Sequence, residues 1–337
     1  MSKRVLLTGA GGFVGCHTLM HFLQHTDWDI VATDSFRHCG TTDRITQQLD
    51  MCEFKNTQRL TVLTHDLRVP FSKRFIHQMG KIDYIVSMAS ESSVDQSIVE
   101  PREFIENNIE LILTLLEYAR EHGVEKFLQV STDEVYGPAA YGHAYQEGDA
   151  RRPSNPYSAS KSAQEDICYS YWRTYGVPMV ITNTMNIIGE LQDPEKYVPK
   201  IIRSVMHGDT VSVHASADGK LGSRHYLHAR NQADALLFIL QHVAALRYAP
   251  GHDIARFHVA GDEELDNLQL AQLIAHHANR PLKYELIDFH SARPGHDLRY
   301  ALDGSKLTAA GWQPPVPLKE SLRRTVEWSV AHPEWLL

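Results

Sequence analysis

A chain of 337 residues, 43% of them hydrophobic, is long enough to bury one or two close-packed cores. Its 33 Lys and Arg residues are outnumbered by 41 Asp and Glu residues, and the net charge of −8 argues against a nucleic-acid or anionic-membrane partner. The cysteines are widely separated and form no Cys-x-x-Cys pair, which is typical of free thiols in a reducing compartment. The sequence shows no apolar run near the ~20 residues of a membrane helix and no signal-peptide pattern. We therefore expect a cytoplasmic protein. The 20 histidines show no metal-ligand spacing, so no metal site is expected.

Short β-branched runs alternate with helical patterns through the first half of the chain, which is typical of a parallel, doubly wound α/β sheet. The predicted strands lie near residues 4–8, 29–33, 60–64, 82–87, 126–130 and 178–183. In such a sheet the loops that follow the strands meet at one edge, where open α/β folds bind their ligands. Functional residues are therefore expected directly after these strands.

The first predicted strand leads into a loop with glycines at positions 9, 12 and 15. The first glycine permits a tight turn, the second lets backbone amides approach a pyrophosphate, and the third lets the next helix lie close to the strand. The positive end of that helix suits the phosphates. This arrangement predicts a Rossmann-type dinucleotide site whose contacts here are Gly9, Gly12, Phe13, Val14 and Gly15.

An acidic residue, Asp34, ends the second predicted strand, nineteen residues after the last glycine of the loop. Its carboxylate would accept both ribose hydroxyls of NAD and repel the extra phosphate of NADP, so NAD is the predicted cofactor, although nearby Arg37 could soften the preference. Asp66 and Leu67, after the third strand, and Ala89, after the fourth, are further predicted cofactor contacts. For Asp66 a solvated position in the loop is an alternative.

Residues 104–119 show the helical period twice, with one stripe on Ile105, Ile109, Ile112, Leu116 and Ala119 and another on Phe104, Asn108, Leu111, Leu115 and Tyr118. A helix with two apolar faces packs between the sheet and something else, such as a second subunit. A fully covered core helix in a monomer is the alternative.

Polar residues Thr132, Asp133 and Glu134 follow the buried strand 126–130, at a position that faces the cofactor crevice in this type of sheet. Thr132 can hydrogen-bond a substrate hydroxyl. The adjacent carboxyls point in different directions if the backbone is extended, so they could address two different atoms of one ligand. The alternative is an acidic first turn of a helix, stabilised by the helix dipole.

Tyr157 and Lys161 lie one helical turn apart, which places a phenol and an ammonium on one face. A free tyrosine has a pKa of about 10 and is a poor base at neutral pH. A neighbouring lysine and an oxidised nicotinamide ring would both stabilise the phenolate, which would prepare Tyr157 to take a proton from a hydroxyl. Lys161 can also hold the nicotinamide ribose. An ordinary helix face is the alternative, and the dinucleotide loop upstream argues against it.

The strand–helix alternation breaks after about residue 184, where prolines and glycines interrupt the pattern before a final amphipathic helix. We therefore predict an α/β fold consisting of a Rossmann-type NAD-binding domain over residues 1–184, to which residues 225–245 return. A smaller C-terminal α/β substrate-binding lobe is predicted over residues 185–337, capping the carboxyl edge of the parallel sheet.

At these motifs the chain resembles the extended short-chain dehydrogenase/reductase family over nearly its whole length, and within it most closely the dTDP-glucose 4,6-dehydratases and related nucleotide-sugar 4,6-dehydratases. The matching pieces are the Gly9–Gly15 loop, residues 89–97, Ser131–Gly137, Tyr157–Lys161, residues 194–196 and residues 293–301. The Thr-Asp-Glu triplet separates dehydratases from the similar sugar epimerases, which lack both acids there, and from nucleotide-sugar decarboxylases, which keep a single glutamate.

The resemblance implies a redox-neutral reaction on a nucleotide-diphosphate hexose, dTDP-glucose or UDP-glucose. Tyr157, with Thr132 and Lys161, would remove the proton of the 4-hydroxyl while C4 gives a hydride to NAD. Glu134 would then take the C5 proton and Asp133 would protonate the departing C6 hydroxyl. Return of the hydride to C6 leaves a 4-keto-6-deoxy sugar.

The resemblance further implies that Asn186 and Arg224 hold the diphosphate, with Arg293 close to it, since the planar guanidinium can pair two phosphate oxygens. Arg224 taken alone could be an ordinary surface residue. The complete set of expected substrate contacts is Ser92, Asn186, Lys196, His214, Arg224, Arg293 and His296. A homodimer formed through the helices at 104–119 and 157–175 is also expected.

Two other classes of function stay open at this point. A related enzyme, either a nucleotide-sugar epimerase or a dehydratase acting at a different carbon, would share the cofactor site, but an epimerase has no need of Asp133 and Glu134. A non-catalytic NAD-sensing or scaffold protein would usually lack Tyr157 or Lys161, and both are present.

Overall fold

The computed structural model describes residues 2–288 and 298–337. In these residues the strands, numbered along the chain, are β1 Arg4–Thr8, β2 Asp29–Asp34, β3 Leu60–Thr64, β4 Tyr84–Ser87, β5 Lys126–Thr132, β6 Met179–Thr184, β7 Asn186–Ile188, β8 Thr210–Ala215, β9 Ser223–His228, β10 Ala255–Val259, β11 Glu264–Asp266 and β12 Lys283–Asp288. The α-helices are α1 Phe13–His25, α2 Thr42–Met51, α3 Lys73–Met79, α4 Val94–Val99, α5 Pro101–His122, α6 Pro156–Tyr175, α7 Tyr197–His207, α8 Ala229–His242, α9 Asn267–His277, α10 Ser305–Ala309 and α11 Leu318–Ala331.

The six strands predicted from the sequence all form, within two residues of their expected ends, and they belong to one sheet. The strand order of this sheet in the described residues is β3-β2-β1-β4-β5-β6-β10, and every neighbouring pair is parallel. Strand β1 pairs with β2 on one side and with β4 on the other, so the direction of winding reverses there. The expected doubly wound α/β sheet is confirmed, and ligands of such sheets bind at the carboxyl ends beside this reversal.

Apolar side chains project from both faces of the sheet, because helices pack on both faces. Leu7 of β1 packs in a cluster with residues of α1 and α8, whereas its neighbour Leu6 packs in a second cluster with residues of α3, α5 and α6. Both leucines are fully buried. The covering helices therefore hold the loops that follow β1, β4 and β5 in fixed positions.

The helix predicted over 104–119 is confirmed as part of α5, and its two apolar stripes differ in burial. The stripe that contains Leu111 and Leu115 is buried in the core. Of the other stripe, Ile112 is buried, but Ile105 and Ile109 are only partly covered. Part of this stripe is therefore accessible on the surface of a single chain.

Two smaller sheets lie in the second half of the chain. One has the order β11-β9-β7, and the other consists of β8 and β12. Their core is a cluster with residues of α7, α9 and α11. Two elements of this half also belong with the larger sheet: β10 joins it as an edge strand, and α8 packs against it. The sequence prediction assigned only residues 225–245, which include α8 but not β10, to that part of the chain. The division of the chain into two domains at residue 184 stays a prediction.

None of the helices in the described parts of the chain combines the length and the apolar character that crossing a bilayer requires. The four cysteines form no disulfide bond.

Candidate active site

A cleft of about 1070 Å³ opens at the carboxyl edge of the seven-stranded sheet, beside the reversal of winding. Every site residue predicted from the sequence that the structure describes lines this cleft. These residues are Gly9, Gly12, Phe13, Val14, Gly15, Asp34, Asp66, Leu67, Ala89, Ser92, Thr132, Asp133, Glu134, Tyr157, Lys161, Asn186, Lys196, His214 and Arg224. The other two predicted substrate contacts, Arg293 and His296, lie outside the described residues.

The glycine loop has the geometry of a phosphate cradle. Gly9 adopts a positive φ of 69°, and a Cβ atom there would come within 2.9 Å of the Ala89 Cα atom. At Gly15 a Cβ atom would lie 1.9 Å from the carbonyl oxygen of Gly9, so no other residue fits. Helix α1 starts at Phe13, and no side chain in the described chain caps its first amides. These amides and the positive helix end suit a pyrophosphate, so the residues present fit a dinucleotide.

Asp34 is fixed at the end of β2 by two backbone amides. Its Oδ2 atom accepts a hydrogen bond from the Gly11 amide and its Oδ1 atom accepts one from the Phe36 amide, both at 3.0 Å. Arg37, which the sequence suggested as a group that softens the preference for NAD, instead pairs with Asp66 at 3.0 Å. The Asp34 carboxylate is therefore oriented before a ribose arrives.

Thr132 and Asp133 form the end of β5 and the start of a short 3₁₀ helix, Asp133–Tyr136. The Thr132 hydroxyl donates to Asp133 Oδ1 at 2.9 Å and accepts the Glu134 amide at 3.3 Å. The acids thus do lie in a first helical turn, as the alternative interpretation had it, and they line the cleft as well. Asp133 is buried, and its Oδ2 atom has no hydrogen-bond partner among the described residues.

Burial, and secondarily the charge of Glu134, raise the pKa of Asp133 to about 7. An aspartate with this pKa keeps its proton near neutrality and can donate it. The raised value also predicts a cost in stability at high pH, because the unfolded chain loses the proton at about pH 4.

Replacement of Asp133 by asparagine should therefore stabilise the protein at pH 8 by about 4 kcal/mol, since the pKa is raised from 3.8 to about 7 and one pKa unit corresponds to about 1.4 kcal/mol. Wild-type stability falls as the pH rises from about 4, where the unfolded group titrates, to about 7, where the folded group does. Melting temperatures of Asp133→Asn and wild type should coincide near pH 4 and diverge up to pH 7. A difference that does not change with pH would contradict the assignment.

Glu134 is held by a residue that sequence reasoning missed. Asn155 donates from Nδ2 to Glu134 Oε2 at 3.1 Å, and its Oδ1 atom accepts the Ser158 amide at 2.8 Å as the N-cap of α6. The available signal was an asparagine directly before Pro156, a common start of a helix. Through Asn155 the Glu134 carboxylate is tied to the helix that carries Tyr157.

Lys161 is buried, and its ammonium group donates to the carbonyl oxygen of Val130 at 2.9 Å. Burial lowers the pKa of Lys161 to about 8, and the charge of Glu165 opposes this effect. For Tyr157, burial first and then the charge of Glu134 raise the pKa above its ordinary value. The expectation that Lys161 and oxidised nicotinamide together stabilise the Tyr157 phenolate stays a prediction, because in the protein chain by itself burial dominates the pKa of Tyr157. A further positive charge beside the phenol is needed, and oxidised nicotinamide carries one.

Most of the predicted substrate contacts that line the cleft come from the second half of the chain. Arg224 of β9 lies with its guanidinium 4.7 Å from the ring centre of Tyr300, a residue that sequence reasoning missed. Lys196 donates to the carbonyl oxygen of Ser92 at 3.4 Å, so two predicted contacts touch each other. The ring of His214 lies 6.0 Å from the ring of Tyr197. Arg224 lines the cleft, so it is not an ordinary surface residue.

Comparison with known proteins agrees with this geometry. The model of the NAD dependent epimerase/dehydratase family matches residues 5–250. This chain belongs to that family. Its cofactor is NAD, and a solved relative of similar fold contains NAD. The chain is accordingly an enzyme of the epimerase/dehydratase family.

Relatives in the family include both dehydratases and epimerases. A mouse protein named dTDP-D-glucose 4,6-dehydratase is 32% identical over 332 residues, which cover 97% of this chain and 88% of the mouse protein. DesIV, a dTDP-glucose 4,6-dehydratase of Streptomyces venezuelae solved with NAD bound, is 29% identical with a TM-score of 0.85, and 98% of each chain is covered. A UDP-glucose 4-epimerase of Thermus thermophilus solved with NAD is 27% identical with a TM-score of 0.81, and 96% of this chain and 98% of the epimerase are covered.

Proposed function

We propose that this enzyme is a nucleotide-sugar 4,6-dehydratase, which converts dTDP-glucose or UDP-glucose to the 4-keto-6-deoxy product. The observation that carries the proposal is the pair of acids at Asp133 and Glu134, which line the same cleft as Tyr157 and Lys161. Sugar oxidation alone needs only the phenol and the ammonium. Loss of water needs one acid to donate a proton and one to accept a proton, and the pair can supply both.

The first step is oxidation at C4. Tyr157 takes the proton of the sugar 4-hydroxyl, and the Thr132 hydroxyl binds the same oxygen. Lys161 holds the ribose next to the nicotinamide and keeps a positive charge near the phenol. NAD, when bound, accepts a hydride from the sugar and later returns it.

The second step is loss of water across C5 and C6. The new ketone acidifies the C5 hydrogen, and Glu134 takes it as a proton. Asp133, which is still protonated near neutrality because of its raised pKa, donates to the departing C6 hydroxyl so that water leaves. The two acids must hold different protonation states, and their unequal burial supports this: Asp133 is buried, while Glu134 is only partly covered and accepts a hydrogen bond from Asn155.

Substrate binding is assigned to cleft residues from the second half of the chain. Arg224, Asn186 and Lys196 bind the diphosphate, and His214 contacts the base. The contact between Arg224 and the ring of Tyr300 supports this assignment, because the guanidinium lies 4.7 Å from the ring centre and lines the cleft. Arg293 and His296 stay predicted contacts.

A 4-epimerase is the second candidate, because an epimerase of the family is 27% identical over nearly the whole chain. The products distinguish the two. Purified protein given dTDP-glucose or UDP-glucose, without added reductant, should form a 4-keto-6-deoxy sugar that NMR identifies by its new C6 methyl signal. Recovery of only the 4-epimer, or no turnover of any hexose nucleotide, would rule out the dehydratase.

We also propose that two chains associate through α5 and α6. Support comes from apolar residues left accessible on these helices: Leu113 and Tyr169 are 36% and 38% exposed, and Ile105 and Ile109 are only partly covered. Sedimentation velocity should give a dimer for the wild-type protein and a monomer for Leu113→Glu. The control Leu246→Glu changes an exposed leucine outside these two helices and should stay a dimer.

The four free thiols support a reducing, cytoplasmic location.

A further inference from the structure

A buried polar cluster lies behind the catalytic triplet, outside the cleft. We define it by Glu165 of α6, Asn183 of β6, Arg256 of β10 and Arg151 from the loop before α6. The side chain of Glu165 has no exposed surface, and Asn183 is equally buried. A carboxylate in such a place is costly unless it is paired, so its contacts require an explanation.

The contacts of the cluster lead to the main chain of Thr132. Asn183 donates from Nδ2 to the Thr132 carbonyl oxygen at 3.1 Å and to Glu165 Oε1 at 2.8 Å. Arg256 donates to Asn183 Oδ1 at 2.9 Å and to Glu165 Oε2 at 2.5 Å. Arg151 donates to the same Glu165 oxygen at 3.1 Å. Asn183 is therefore fixed from two sides, and the fixed amide holds the Thr132 carbonyl.

The same carboxylate also reaches the catalytic helix. Glu165 lies four residues after Lys161 in α6, so the two side chains share a helix face. The charge of Glu165 raises the pKa of Lys161 against the effect of burial, and the thiol of Cys168 acts in the same direction.

Stability alone does not account for the cluster, because a buried ion pair often contributes no more than apolar residues of the same volume. Its members do connect the two parts of the catalytic group, Thr132 on β5 and Lys161 on α6. We propose that Glu165 is a positioning residue, which fixes Thr132 through Asn183 and holds α6 in register with it. The proposal rests on the first step of the proposed function, oxidation at C4, which a 4-epimerase shares.

The test uses Glu165→Gln, with Asp166→Asn as the matched control. Asp166 pairs with the same Arg151 but is largely exposed and has no contact with Asn183 in the described residues. In Glu165→Gln the single-turnover rate of NADH formation from the nucleotide sugar should fall by about 10- to 100-fold, as expected for a misplaced catalytic group. The KM for the sugar and the Kd for NAD should stay within about twofold, because transition-state positioning and not ground-state binding is lost. Asp166→Asn should match wild type in all three.

Hydrogen exchange at backbone amides gives a readout that needs no substrate. Residues 131–135 should exchange faster in Glu165→Gln than in wild type or Asp166→Asn. If Glu165→Gln does not fold, Asn183→Ser removes the amide link while the ion pairs remain, and the same slower oxidation and faster exchange are expected. Wild-type rate and exchange in either folded variant would overturn the proposal. Failure of the dehydratase proposal would give a different result: the wild-type enzyme would form NADH from the nucleotide sugar, but no water would be lost from the sugar.

Discussion

Replacement of Tyr157 by phenylalanine should slow oxidation at C4 by about 10²- to 10⁴-fold, the usual contribution of a positioned acid–base group. The residues of α6 that line the cleft are Tyr157 and Lys161, and of these the phenol is the one placed to take the 4-hydroxyl proton, since Lys161 donates to the Val130 carbonyl oxygen. Binding should change little, because phenylalanine keeps the ring that packs edge-on against Phe104 at 6.2 Å. The measurement is NADH absorbance after mixing enzyme, NAD and nucleotide sugar.

Tyr145→Phe is the matched control for this variant. It also removes one phenolic hydroxyl, which donates to the Pro138 carbonyl oxygen and has no part in the proposed reaction. The control should form NADH at the wild-type rate. Unchanged NADH formation in Tyr157→Phe would remove Tyr157 from its role as the base.

Replacement of Glu134 by glutamine should stop the second step and spare the first. The amide cannot take the C5 proton, so uptake of solvent deuterium at C5 and formation of the 6-deoxy product should fall by about 10²- to 10⁴-fold. Oxidation at C4 should remain measurable, because glutamine is isosteric and its oxygen can still accept from Asn155. NMR in D₂O follows the exchange, and NADH absorbance follows the oxidation.

Asp133→Asn provides the comparison for Glu134→Gln. This variant loses the acid that protonates the leaving hydroxyl but keeps the C5 base, so deuterium should enter C5 without formation of a 6-deoxy product. The two variants thus separate proton removal from loss of water. Persistent exchange in Glu134→Gln would show that Glu134 is not the base.

The sequence alone predicted six strands and the cleft residues that follow them, because these features are local. Strand periodicity, the glycine spacing and the Thr-Asp-Glu triplet can each be recognised within a few residues. Parallel topology then brings the carboxyl ends of distant strands together, so local recognition was enough to assemble most of the site.

Features that depend on tertiary contacts could not be predicted in this way. Asn183 and Arg256 are 73 residues apart and meet only because β6 and β10 pair in the sheet. The pKa of Tyr157 was inferred from Lys161 and the nicotinamide ring, whereas burial is the largest influence on it in the folded chain. Arg37 lies only three residues after Asp34 in the sequence, yet its partner Asp66 comes from the loop after the next strand.

The transfer of hydrogen from C4 to C6 is the most direct test of the proposed function. In the proposed reaction, the hydrogen removed from C4 is kept in the cleft while Asp133 and Glu134 act in the loss of water from the same sugar. It is then returned to C6 of that sugar molecule. With substrate deuterated at C4, we expect NMR to find the deuterium in the C6 methyl group of the product. Deuterium that stays at C4, or a methyl group without deuterium, would contradict the account.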